Sequence, residues 1–265
     1  MTTSNPPPEA SDDEPIKSAP KARTRRSLIG LGGIIAGVVI GTAFTGTRAN
    51  AIPPPICFLC GTMIQTPTGQ RSIESLTIGD TVTTVSGAAR PVKWIGRMSF
   101  VRAAGRREWV RDVTPVRIAR GAIDGALPRR DLFVSQAHAL HIDGVLVPAS
   151  DLVGAPGITI ESPATADRLD YFHIELDSHD AVYAEGLPAE TYRENGDRER
   201  FDNFIEYERR YGRSAGEQKP FAPLVGYGSP RNRARSHLRS ALSPWIDRRT
   251  TFDRIRDRLM ERSPS

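Results

Sequence analysis

"CFLCGTMIQTPTGQRSIESLTIGDTVTT", residues 57–84, decides the fold. It holds both cysteines of the chain, Cys57 and Cys60, three positions apart. From Met63 to Thr66 apolar and polar residues alternate, with the turn signal Pro67-Thr68-Gly69 after them. Ile73–Leu76 reads as a short connecting element, Gly79-Asp80 as a second turn, and Thr81–Val85 alternates again before Ser86-Gly87. A period of two broken by Gly, Pro and Asp predicts short antiparallel strands. A pair of thiols at the head of such a run has three readings: a redox pair, half of a metal site, or one nucleophile with a bystander.

The rest of the chain narrows these. Its 265 residues suffice for one ordinary domain with extensions, or for two small ones. Hydrophobic residues make up 38% and aromatics 7%, so part of the chain is expected outside the core. Two cysteines cannot build a disulfide framework, and one CxxC is at most half of a structural zinc site. No metal or other cofactor is therefore expected. A CxxC oxidoreductase carries that motif at a helix start in an α/β pattern, whereas here it leads into strands. The net charge of +5 is mild, so no specific nucleic acid is expected as partner.

Four segments are expected. Residues 1–27 are Pro-rich and polar and read as a disordered leader. Residues 28–51 follow Arg23, Arg25 and Arg26, carry no charge from Leu28 to Thr45, and end near the small-residue site Ala49-Asn50-Ala51. They read as an export signal of twin-arginine type or as a membrane anchor over residues 28–45, which places the functional part in the periplasm, outside the cell or on a membrane. Residues 52–195 hold the strands. "DLFVSQAHALHIDGVLVPASDLV" (131–153) gives a strand and a hairpin tipped by Asp143-Gly144, and "RLDYFHIELDSHDAVYAEGLPAETY" (168–192) gives two strands around Asp177-Ser178. Residues 196–265 form a basic, partly helical tail. Phe201, Phe204, Ile205 and Glu208 have helical spacing, as do Ile246, Phe252, Ile255 and Leu259. Between them Arg231, Arg233, Arg235 and Arg239 run without an acidic residue. They read first as a solvated surface and second as a contact for phosphate or lipid headgroups, hence for a membrane.

The opening block, "RPVKWIG" (90–96) and the two His-bearing blocks, in this order, resemble the Hint domain shared by hedgehog proteins and inteins, in particular its bacterial non-splicing branch. The resemblance implies a mainly β, horseshoe-shaped fold with pseudo-twofold symmetry, here followed by the helical tail. It also implies autoprocessing with the chain as its own substrate: Cys57 attacks the carbonyl of Ile56, converting a peptide into a thioester. Ser135-Gln136-Ala137-His138 matches the family motif of a hydroxyl residue, two others and a histidine. It assigns Ser135 a hydrogen bond at the site and His138 the protonation of the departing amine. His179 matches a family histidine and is expected to act as a second acid/base group. His173 stands where many inteins carry Asp and is a further candidate for the same acid/base role. His141 and His237 read as structural.

The chemistry makes the same demands independently. An amide is a poor electrophile; the thiol must lose a proton, the amide must be polarised and the leaving nitrogen must gain a proton. Histidine serves near neutral pH. The place of the terminal His-Asn pair of an intein reads "EGLPAETYRENG" (185–196), so cleavage on the upstream side without full splicing is expected. The acceptor, water or another nucleophile, is unidentified. A disulfide between Cys57 and Cys60 would gate the nucleophile. The competing reading is a catalytically inactive, exported Hint-like interaction module.

Overall fold

The computed structural model describes residues 56–105, 108–194, 196–213 and 218–262, all within one compact unit, Ala49–Ser265. The leader, the signal or anchor and its cleavage site lie outside the described residues. No helix among the described residues is long and apolar enough to cross a membrane.

The fold is mainly β. Two six-stranded sheets, antiparallel throughout, carry most of it. The first runs, in spatial order, Ile158–Ile160, Val116–Ile118, Leu132–Val134, Phe58–Leu59, Arg168–Glu175 and Trp94–Val101. The second runs Val145–Pro148, Ala139–Ile142, Leu187–Glu190, Ala181–Ala184, Met63–Thr66 and Gly69–Ser72. A two-stranded ribbon, Thr81–Thr83 with Ala89–Pro91, packs on the second sheet through buried Val82 and a bridge from Thr84 to Val182. The two-residue strand Phe58–Leu59 lies inside the first sheet, where Phe58 faces both Val134 and Phe172. That placement buries the residue before it, Cys57, completely.

Local chemistry explains the hairpins. Asp143-Gly144 and Glu185-Gly186 both take positive φ at their two central residues (50° and 79°, 50° and 83°), the left-handed pair whose twist matches that of the flanking strands. The second of these turns adds a strand, Leu187–Glu190, to the two expected over 168–192. The alternation at Met63–Thr66 buries Ile64 and Thr66, as a half-buried strand requires.

Among the described residues, four α-helices complete the fold: α1 (Ala149–Leu152), α2 (Phe204–Tyr211), α3 (Pro230–Leu242) and α4 (Thr251–Met260). Helix α4 opens with a capping box between Thr250 and Asp253 and packs Phe252, Ile255 and Leu259 into the main core. Ile246, expected on this helical face, lies before the helix and is exposed. In α2 the buried residue is Tyr207, not Ile205; Phe201 is buried ahead of the helix. The arginine run expected as a solvated surface lies on helix α3, with Arg231, Arg233 and Arg235 exposed. Its inward face is polar: Ser236 is buried, bonding Asp253 and Arg256, while Ser240 meets Asp257 and Arg256. Such a face leaves no apolar periodicity to read.

Candidate active site

Cys57 enters the first sheet through a reciprocal pair of hydrogen bonds. Its N–H donates to Ser135 Oγ at 2.9 Å, and its carbonyl accepts the Ser135 N–H at 2.8 Å. The nitrogen touched by the serine hydroxyl is the amide nitrogen of the Ile56–Cys57 peptide bond. The His138 N–H donates to the Ser135 carbonyl at 3.0 Å, closing a β-turn over Ser135–His138. The three-residue spacing of hydroxyl and imidazole thus brings the two side chains to the strand that Cys57 leads.

His138 is fully buried, its ring 4.3 Å from Phe58 and 5.3 Å from His173. His173 is fully buried as well and stands 5.4 Å from Tyr192. No ring nitrogen of either histidine has a hydrogen-bond partner among the described residues. Burial draws the His138 pKa down to about 4, opposed by the Glu190 charge and by the backbones of Cys57 and Glu190. Burial, then the charges of His138 and His179, push His173 well below its ordinary value. Two buried imidazoles, held neutral chiefly by burial, therefore sit against the start of the cysteine strand, His138 with the Cys57 and Glu190 backbones beside it. Unsatisfied buried groups of this kind cost stability and call for a functional account.

The thiol itself is protonated at rest. Burial, then the Asp197 charge, raise it well above the ordinary cysteine value, with Arg200 opposing. It lies in an aromatic cluster with Trp94, Tyr171, Tyr192, Phe201 and Tyr207. Asp197, half-buried, accepts from the Tyr192 hydroxyl at 2.9 Å, and its carboxyl is raised chiefly by burial. Cys60 differs: it is exposed on the turn after Leu59, its N–H bonded to the Asp170 carbonyl at 2.8 Å. Both cysteines are free thiols.

His179 stands one carboxylate away. Its Nδ1 accepts the Phe221 N–H at 2.9 Å, which places the proton of the neutral ring on Nε2, 3.5 Å from Glu190 Oε2. The other Glu190 oxygen accepts the Ala139 N–H at 2.7 Å, the residue after His138. The structure thus groups Cys57, Ser135, His138 and His173, and ties His179 to them through Glu190. His141, half-buried, faces Phe221 at 5.3 Å, and His237 stacks on Tyr227 at 6.0 Å; both lie outside this group. Sequence reasoning missed Glu190 and Asp197. Glu190 falls in a strand whose neighbour Ala189 is also buried, so no alternation marks it.

On the far side of the peptide bond, Ile56 lines a groove of about 880 Å³ with Ala137, Pro148, Asp151 and the segment Leu224–Arg233. That segment is fixed by the exchange of Leu146 N–H to the Pro223 carbonyl and Val225 N–H to the Leu146 carbonyl, at 2.9 and 2.8 Å. The thiol is therefore buried among aromatic rings, while the residue before it borders a groove. No group of three or more ligating side chains able to hold a metal is present among the described residues.

A search of curated proteins found no match. Among solved structures, the gp41-1 intein is 14% identical, with a TM-score of 0.36, covering 51% of this chain and 98% of its own. A bacterial intein-like domain from Clostridium thermocellum is 16% identical, with a TM-score of 0.37, covering 52% of this chain and 100% of its own. The MchDnaB-1 intein is 17% identical, with a TM-score of 0.33, covering 50% and 98%. The family model described as "Hint domain" matches residues 56–196, more than half of the sequence, and the chain belongs to the Hint domain family.

Proposed function

We propose that this protein cleaves its own chain once, at the Ile56–Cys57 bond, without splicing. The Cys57 thiol adds to the Ile56 carbonyl; the C–N bond breaks and a C–S bond forms. The thiol proton ends on the Cys57 nitrogen, which becomes a free amine, so the step is an isomerisation. Water or another nucleophile then takes the acyl group from sulfur and frees whatever precedes Cys57.

The carrying observation is the Ser135 hydroxyl on the amide nitrogen, with His138 buried three residues on. Ser135 orients the bond. His138 is neutral at pH 7, so it can receive a proton from the thiol side and return it to nitrogen. Glu190, held by Ala139 and facing His179, supplies a negative charge that favours the imidazolium while the proton is in transit. His173 packs edge-on against His138, and the raised thiol keeps the resting chain intact. The groove at Ile56 admits the acceptor. The sequence at 185–196 lacks the His-Asn pair that would release a downstream partner.

Hydroxylamine tests the reading, since it attacks thioesters far faster than amides. Wild type is expected to yield an upstream fragment bearing a hydroxamate at Ile56, and Cys57→Ala, which has no nucleophile there, none. Equal yields from both, or no fragment from either, would refute it.

A further inference from the structure

Helix α3 carries two faces of different use. Ser236 and Ser240 turn inward to Asp253, Asp257 and Arg256 on α4. Arg231, Arg235, Leu238 and Leu242 recur at steps of four, three and four, which aligns them in one outward stripe. All four are exposed, the two leucines by 58% and 48%. The chain continues the stripe past the helix end, since the Trp245 and Ile246 N–H groups both donate to the Leu242 carbonyl at 3.1 and 3.0 Å. Trp245 is 78% exposed and Ile246 60%, the least covered large apolar side chains of this end of the molecule. Together with Leu238 and Leu242 they line an apolar depression of about 370 Å³, rimmed by Arg239 and Arg248.

Exposed apolar patches of this kind mark a binding surface. Charge selects the occupant. From Lys219 to Ile246 the chain holds five basic residues and no acidic one. Nearby carboxylates are engaged elsewhere: Asp253 with Arg239, Asp257 with Arg256, and Asp247 with Arg249 at 3.0 Å. A second copy of this face would set arginine against arginine. A nucleic acid would use the arginines but leave Leu238, Leu242, Trp245 and Ile246 in water. An anionic bilayer uses both halves: headgroups meet the basic first half of the stripe, and Trp and the aliphatic residues enter the headgroup–acyl boundary.

We propose that the α3 stripe and the Trp245-Ile246 turn form an interfacial docking surface for an anionic lipid bilayer. This surface stands independently of the autoprocessing reading and of any apolar segment elsewhere in the chain.

The test measures quenching of tryptophan emission in the full-length protein by brominated acyl chains. Vesicles of phosphatidylglycerol and phosphatidylcholine are compared with pure phosphatidylcholine. Quenching is expected with the anionic vesicles, lost in Trp245→Phe, which identifies the ring that enters. Arg231→Gln with Arg235→Gln is expected to raise the vesicle concentration for half-quenching roughly thirtyfold, from two basic side chains near an anionic surface. Absence of quenching overturns the proposal. So does equal quenching by pure phosphatidylcholine, a dimer abolished by Trp245→Ser, or oligonucleotide binding that the arginine variant loses while lipid quenching is absent. A urea titration of each variant shows that it is folded.

Discussion

Acid sensitivity offers a quantitative test of the buried imidazole. His138 is fully buried with its pKa drawn down to about 4, whereas in the unfolded chain it returns to about 6.5. Between these values the unfolded state binds the extra proton, so folding stability is present above pH 6.5 and is lost as the pH falls toward 4. At pH 4 the loss from this one group is about 3 kcal/mol, from the ratio of the two binding polynomials at about 1.4 kcal/mol per pKa unit. The groups acting on His138 are Glu190, which resists the depression, and His179, which adds to it. His173 titrates in the same direction and remains in a His138→Gln protein. The assay is urea denaturation of wild type and His138→Gln at pH 7 and pH 4. The pH-dependent loss in wild type is expected to exceed that in the variant by about 3 kcal/mol. Equal losses would mean that His138 titrates as in water, and the buried, desolvated site would be wrong. The same pair of groups shapes the reaction rate. A thiolate with an imidazolium has the same proton count as a thiol with a neutral ring, so cleavage is expected to be flat from about pH 5 to 9 and to fall only near pH 4 and above the thiol pKa.

Other expected outcomes follow from single contacts. Ser135→Ala leaves the buried Cys57 N–H without its acceptor; it should cost about 1–3 kcal/mol in urea denaturation and slow cleavage, with Ser135→Thr retaining both. Gly96→Ala would set a Cβ 2.5 Å from the Phe201 ring and 2.9 Å from Trp94, so a loss of about 1–3 kcal/mol is expected, relieved when combined with Phe201→Ala. Iodoacetamide should add one adduct to the folded protein, on exposed Cys60, and two in urea; native labelling of Cys57 would contradict its burial.

The strands were legible where turn chemistry announced them. Asp143-Gly144 and the alternation at Met63–Thr66 have only one reasonable reading. Ser135 and His138 were legible through the likeness of Ser135-Gln136-Ala137-His138 to the family motif, and the structure sets that spacing in a β-turn. Helix α3 was not, because its buried face is made of serines and charged partners rather than aliphatic residues. Glu190 and Asp197 were not either, since single carboxylates acquire meaning only from the histidine and thiol that the fold brings beside them. The basis for choosing between His173 and His179 was also tertiary. Phe58 and His138 flank His173, whereas Glu190 and the Phe221 amide hold His179.

The most direct measurement is the intact mass of purified wild type and Cys57→Ala protein over time, with and without dithiothreitol. A fragment whose first residue is Cys57, growing in wild type, faster with thiol and absent from Cys57→Ala, is the expected result. Chains of unchanged mass in both proteins, with the Ile56–Cys57 bond whole throughout, would contradict it.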